Sequence, residues 1–368
     1  MSERGKKDDA HVLTGLIIFC AAVVIVVTLA AIVMPPPLPP EPEETRTEGD
    51  WTWRPLDEET AALVRWTGKD RDAVIPDELG GLRVTGIEDG AFSSRVSMRS
   101  VTLPAGLETV DGNPFDGCTS LRAVIVPEGH PRFAAPDGVL FDLADGRLVC
   151  YPQARPGAAY AVPAGTVSIG RSAFGRCDYL TAVSLPDGLT AIGAWAFHDF
   201  ADLREIRLPE GLTSVGTAAF VGCAGITVTR LPDSLRTIGA EAFYGYSGLT
   251  LSALPADLTA LGASAFHGTG PIRLTALPAG LRTIGDRALA HCDLSAVTAL
   301  PDSVTAIGAS AFARSGLKRL FIPAGVTEIA EGAFAECPGL ALTTPPGSPA
   351  EEFCVRFRIP VTTEEAEE

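Results

Sequence analysis

The side chains with most chemistry to offer are cysteine and histidine, and both recur at fixed places. Cys118, Cys177, Cys223, Cys292 and Cys337 each stand three residues after an apolar position held by Phe115, Phe174, Phe220, Leu289 or Phe334. Such thiols could form disulfides in an external chain. Cys177 and Cys223 are two periods apart, on the order of 10 Å if each period adds one strand to a sheet, which exceeds disulfide reach. Buried free thiols are therefore expected. Cys150 and Cys354 lie outside the slot, and spacing does not pair them. His198 and His267 share another slot three periods apart, about 15 Å, which denies them a common metal. Neither glycine-rich phosphate motif occurs, the serines lack a nucleophile elbow, and scattered carboxylates in a repeat are most often solvated surface. No catalytic, cofactor-binding or metal residue is expected, so the chain is read as no enzyme and as needing no cofactor.

The recurrence itself dictates the elements. A proline returns at Pro104, Pro127, Pro163, Pro186, Pro209, Pro232, Pro255, Pro278, Pro301 and Pro323, and the ring slot at Phe92, Phe115, Phe174, Phe197, Phe220, Phe243, Phe266, Leu289, Phe312 and Phe334. Most steps are 23 residues in both series; the step from Pro127 to Pro163 is 36, one period plus 13. A leucine-rich period of 20–29 residues means a solenoid, in which one coil cannot bury its apolar side alone and stacks on the next. The expected fold is a leucine-rich-repeat solenoid, a curved right-handed coil with a parallel β-sheet on one face, mostly β and turns, with one N-terminal transmembrane helix. The ring series is its structural spine.

Strand candidates precede each proline. Val183 and Ile206 point inward, whereas Ala182, Ser184, Glu205 and Arg207 fall on the outer wall, the candidate binding face. Proline then ends the strand, because it cannot donate to the ladder. Glycine after the last apolar residue of this half-coil, as in Gly193 after Ile192 and Gly262 after Leu261, marks a place where a side chain would clash or φ is positive. Before Pro232, Pro255 and Pro278 the middle apolar residue, Val228, Leu251 or Leu274, comes one place early, so coils between about 226 and 300 should differ in curvature or strand length.

The flanks divide the chain. Residues 13–34 carry no charge over a length that crosses a bilayer, and Arg4, Lys6 and Lys7 precede them, so a transmembrane helix with a cytoplasmic 1–12 is expected. This would make a single-pass membrane protein whose solenoid is extracellular or periplasmic. Residues 35–50 are a proline- and glutamate-rich spacer. Residues 51–75 form an N-terminal cap, whose 51–68 part suits either a helix or strand, turn and strand. The solenoid occupies 76–345, with a hairpin insert near 128–162 signalled by Asp145-Gly146 and expected to project from the wall. Residues 346–368 hold a C-terminal cap and an acidic tail, with Phe353, Val355, Phe357 and Ile359 alternating like a strand.

A net charge of -16, from 45 acidic and 29 basic residues, repels phosphate backbones, and nucleic acid is excluded as a partner. What remains is a membrane contact through 13–34 and an extended wall able to bind an extracellular or envelope protein or glycan at many weak points.

The recurrent P-x-G-L-x-x-I-G-x-x-A-F-x-x-C-x-x-L string resembles the BspA-like, or treponemal-type, leucine-rich-repeat surface proteins of bacteria over roughly residues 73–343. The opening 74–92 and the insert phrase DGVLFDLADGRLVCYP look like variant units of that family. The resemblance implies an exported or surface-attached protein with a recognition or adhesion role and no catalytic residues to carry over. The alternative is a structural spacer of the cell envelope.

Overall fold

A computed structural model describes residues 44–177, 179–223, 225, 228–246, 248–269 and 272–363. The chain divides into a unit Met1–Glu44 and a unit Thr45–Glu368, and all but one of the described residues belong to the second. The expected transmembrane helix, 13–34, lies outside the described residues. Among the described residues no helix is long and apolar enough to cross a membrane. Their α-helix, Pro349–Phe357, has nine residues, about 14 Å at 1.5 Å per residue, and carries Glu351, Glu352 and Arg356. The described residues therefore supply no transmembrane fold element, no membrane partner and no single-pass anchor, in correction of that expectation; what they support is a β-solenoid with mixed sheets.

Repetition of the sequence becomes repetition of the backbone. From Phe174 onward most ring residues donate their N–H to the alanine carbonyl before the next ring, at 2.8 Å for Phe197 to Ala219, 2.9 Å for Phe220 to Ala242 and 3.0 Å for Phe243 to Ala265. That ladder sets the rings in a pile. Phe174, Phe197, Phe220 and Phe243 follow one another at centroid separations of 5.2, 5.2 and 5.3 Å, all within 7° of parallel. Phe312 and Phe334 resume it at 5.5 Å after Leu289, and all ten spine residues are buried.

From Phe174 onward two residues per coil take left-handed backbone, two places before and two after the ring, as at Trp195 (φ 59) and Asp199 (φ 51). The glycine after the half-coil's last apolar residue does not. Its reason is close approach: a Cβ on Gly262 would stand 2.3 Å from the Ala240 nitrogen, and one on Gly193 would stand 2.8 Å from the Gly170 carbonyl carbon.

The principal sheet is not the one expected. Strands before the proline make short three-stranded sheets, such as Ala159–Ala161, Ala182–Ser184 and Glu205–Arg207. The 11-stranded sheet lies instead after the proline, through Ala191–Ile192, Ser214–Val215 and Thr237–Ile238 and their equivalents, each pair in parallel register with the next coil. The physical reason is the glycine: coils can approach closely where it follows the last apolar residue. Where the middle apolar residue comes early, the pre-proline strand shrinks to isolated bridges, Val228 to Leu249 and Leu251 to Ile272.

The lengthened coil does not project as expected. Phe133–Ala134, Leu140–Asp142 and Arg147–Cys150 pair antiparallel, and the last joins the 11-stranded sheet in parallel with Ser168–Ile169. One side of this hairpin, Leu140 and Val149, belongs to a core with Trp53, Phe92 and Phe115; the other, Val139, Phe141 and Leu148, belongs to the core that runs on to Phe353. It is a partition between two cores. Asp142, fully buried within it, is held by Arg132 at 2.9 Å.

At the N-terminal end Trp51–Pro55 and Thr60–Trp66 form a hairpin, closed by Asp57 accepting the N–H groups of Glu59 and Thr60, and Thr60–Trp66 then pairs with Leu82–Ile87. At the other end the alternation of 353–359 conceals a helix. Ser348 caps it by accepting from the Glu351 N–H at 3.2 Å, Pro349 opens it, and Ala350, Phe353 and Cys354 bury one face while Val355 is 70% exposed.

Candidate recognition faces

Every apolar strand position that points inward leaves its neighbours on the outside. The register Ala159, Ala182, Glu205 forms one row, and Ala161, Ser184, Arg207 another, with Tyr160, Val183 and Ile206 packed beneath. Ser184, Glu205 and Arg207 are exposed and Ala182 is half-buried. Residues 182–185 and 204–207 line one shallow depression, and a second continues from Ile206 and Arg207 to Arg230. Arg230 is engaged by Asp233 and by Glu210 at 3.8 Å. Glu205 and Arg207 stand on the wall among described residues without an ion pair of that kind.

A second face escapes the sequence reading. Along the long sheet the outward row Ser168, Ala191, Ser214, Thr237, Ala260, Thr283 and Ala306 is small, bounded by Arg147 at one end and Glu328 at the other. Threonine beside this row ties coil to coil through its hydroxyl, Thr190 to the Val167 carbonyl at 3.2 Å and Thr213 to the Thr190 carbonyl at 3.0 Å. The signal available was the recurrent small residue two places before each such glycine.

One spine member was also missed. Tyr151 stacks on Phe174 at 5.2 Å and donates its N–H to the Ala173 carbonyl at 2.8 Å, the contact that Phe174, Phe197, Phe220 and Phe243 make to the next coil. It stands 23 residues before Phe174, so the clock itself could have found it.

The thiols do not offer nucleophiles. All described cysteines are free. Burial pushes Cys118, Cys223 and Cys292 up to about 12, far from the thiolate form at neutral pH. Cys118 and Cys223 donate back to the carbonyl of the preceding ring residue, Phe92 at 3.1 Å and Phe197 at 2.9 Å. No group of three or more His, Cys, Asp and Glu side chains converges among the described residues. His267 stacks on Tyr244 at 5.3 Å and meets His291 edge-on at 5.6 Å.

The family described as BspA type leucine-rich repeat region matches in six copies over residues 82–133, 167–295 and 262–348. No curated protein matches. Similar solved structures include the pneumococcal vaccine antigen PcpA, 15% identical over 88% of this chain and 99% of that one, with a TM-score of 0.36. A leucine-rich cell surface protein from Faecalibacterium prausnitzii A2-165 is 22% identical over 85% of this chain and 97% of that one, at 0.38. A leucine-rich-repeat protein from Bacteroides ovatus ATCC 8483 is 17% identical over 87% of this chain and 100% of that one, also at 0.38. At TM-scores this low the likenesses carry no further weight, and the fold rests on the chain's own ladders.

Proposed function

Since the chain belongs to the leucine-rich-repeat family that its repeats match, and is accordingly non-catalytic, we propose that it is a bacterial surface recognition protein of the BspA-like type. Its partner is an extracellular protein or glycan, held on the outer wall around Ala182, Ser184, Glu205 and Arg207. The observation that supports this reading is the register of that wall. Ala182 pairs with Glu205 and Ser184 with Arg207, so opposite charges stand on one strand, fixed by a ladder and not spent on each other. Ordered side chains on a rigid sheet lose little entropy on binding.

The test is capture by the immobilised full-length chain from same-species envelope extracts, matrix proteins and glycan arrays. The expected outcome is a bound component whose capture falls at least tenfold in Glu205→Arg and Arg207→Glu. Capture indifferent to both changes, or none, would favour a spacer and remove this reading.

A further inference from the structure

The imidazole of His130 is built into the chain as a hydrogen-bond acceptor. The backbone N–H of His130 closes a turn on the Pro127 carbonyl at 3.2 Å. Its ring nitrogen Nδ1 then receives two further backbone N–H groups, from Arg132 at 3.2 Å and from Phe133 at 3.0 Å. A ring nitrogen that accepts carries a lone pair and no proton, so the proton of neutral His130 sits on Nε2. Nε2 is buried without a hydrogen-bond partner, and the two amides alone fix the tautomer.

A second proton has only Nδ1 to go to. There it would set a donor against two donors, and both amides would lose their partner while a charge entered a half-buried turn. Nothing nearby compensates that charge. Glu128, in the same turn, is exposed and makes no ion pair among the described residues. Of the charged groups on the facing hairpin, Asp142 is taken by Arg132 at 2.9 Å and by Arg147 at 3.6 Å, and Asp145 reaches Arg132 at 3.5 Å. Glu108, from the preceding coil, bears on Arg132 as well. The Phe133 ring lies 5.5 Å from the imidazole and already has the Arg132 guanidinium 5.7 Å from its centroid. Burial holds the imidazole below its usual 6.5.

The three residues after this turn anchor the partition between the two cores. Phe133 is buried in the first core. Phe133–Ala134 pairs with Leu140–Asp142 over two residues only, and the Arg132 carbonyl accepts the Leu143 N–H at 2.8 Å. So short a strand depends on the turn that leads into it.

We propose that His130 is a pH-sensitive latch on this partition: protonation at Nδ1 expels the Arg132 and Phe133 amides and frees Phe133–Ala134 from Leu140–Asp142. A folded value below the unfolded one gives stability that is complete above the unfolded value and is lost as pH falls through the folded one. That window lies above the range of Asp142, whose usual value is 3.8. The opened state presents the Phe133 ring and the unpaired edge of Leu140–Asp142. The device is independent of the outer wall.

The test is hydrogen exchange of the full-length protein at about pH 5 and pH 7.5, corrected for intrinsic rates, with an NMR titration of the histidines. Opening of residues 130–143 should rise about fivefold or more at the lower pH, while the ring residues Phe312 and Phe334 stay protected. His130→Asn supplies a carboxamide oxygen where Nδ1 stands, accepts without titrating, and should keep the segment closed at both values. His130→Phe has no acceptor and should leave it open at both. Asp142→Asn should keep the step. If His130→Phe fails to fold, the wild type and His130→Asn decide. A His130 that titrates at or above 6.5, a step that persists in His130→Asn, a segment open at both values in that variant, or a step abolished by Asp142→Asn overturns the proposal.

Discussion

Phe197 and Phe220 lie face to face, 5.2 Å between centroids and 5° from parallel, because the N–H of the first is bonded to the carbonyl just before the second. Each ring therefore fills its own coil and covers a neighbour's. Phe197→Ala should cost about 3–5 kcal/mol, measured by denaturant unfolding, against less than about 0.5 kcal/mol for Glu205→Ala on the exposed wall. Equal losses would mean the rings do not stack in solution.

Close approach at the glycines makes a sharper contrast. Gly262→Ala places a methyl against the Ala240 backbone, whereas Gly280→Ala meets its nearest atom at 3.8 Å. The first change should cost about 1–3 kcal/mol as an overpacked contact and the second nearly nothing, in paired thermal melts.

Asp142 predicts an acid limb. Burial by itself would raise its carboxyl, but the hydrogen bonds and charge of Arg132, with the Ala144 N–H and Arg147, outweigh it and hold the group below its usual 3.8. A depressed folded value means stability that is present above about pH 4 and is lost as pH falls through the folded value. Asp142→Asn should flatten that limb. At pH 7 it should cost toward the low end of about 3–5 kcal/mol, because Arg132 keeps a third of its side chain in water.

Alkylation at pH 8 followed by mass spectrometry should mark Cys337, which is half-buried, before Cys118, Cys223 and Cys292. The last three should react only as fast as the coils open. Early labelling of Cys223 would contradict its burial.

At the C-terminal end, Ser348→Ala removes the cap oxygen that holds the Glu351 N–H and should cost about 1 kcal/mol, seen as a lowered thermal midpoint.

The 23-residue clock was legible because a ring and a proline are each hard to replace at their places in a coil. Which side of the coil carries the long ladder was not, since Val183 and Ile192 are both inward strand residues and only the backbone contact at Gly193 distinguishes their sides. Phe353, Val355, Phe357 and Ile359 alternate like a strand, yet Phe353 joins Ala350 and Cys354 on the buried face of a helix that leaves Val355 exposed, a case where two periods fit one short string and Ser348-Pro349 decides. Asp116 Oδ1 and His198 Nε2 stand 3.8 Å apart, a pairing that counting coils separates and that the absence of a side chain at Gly175 permits, since a Cβ there would meet the imidazole at 2.2 Å.

The hairpin 133–150 contributes side chains to both cores, so neither core continues through it. A chain drawn from its ends should therefore yield in two force steps and not as one unzipping row, with the rupture plane falling at this wall and the longer segment surviving as an intact fragment.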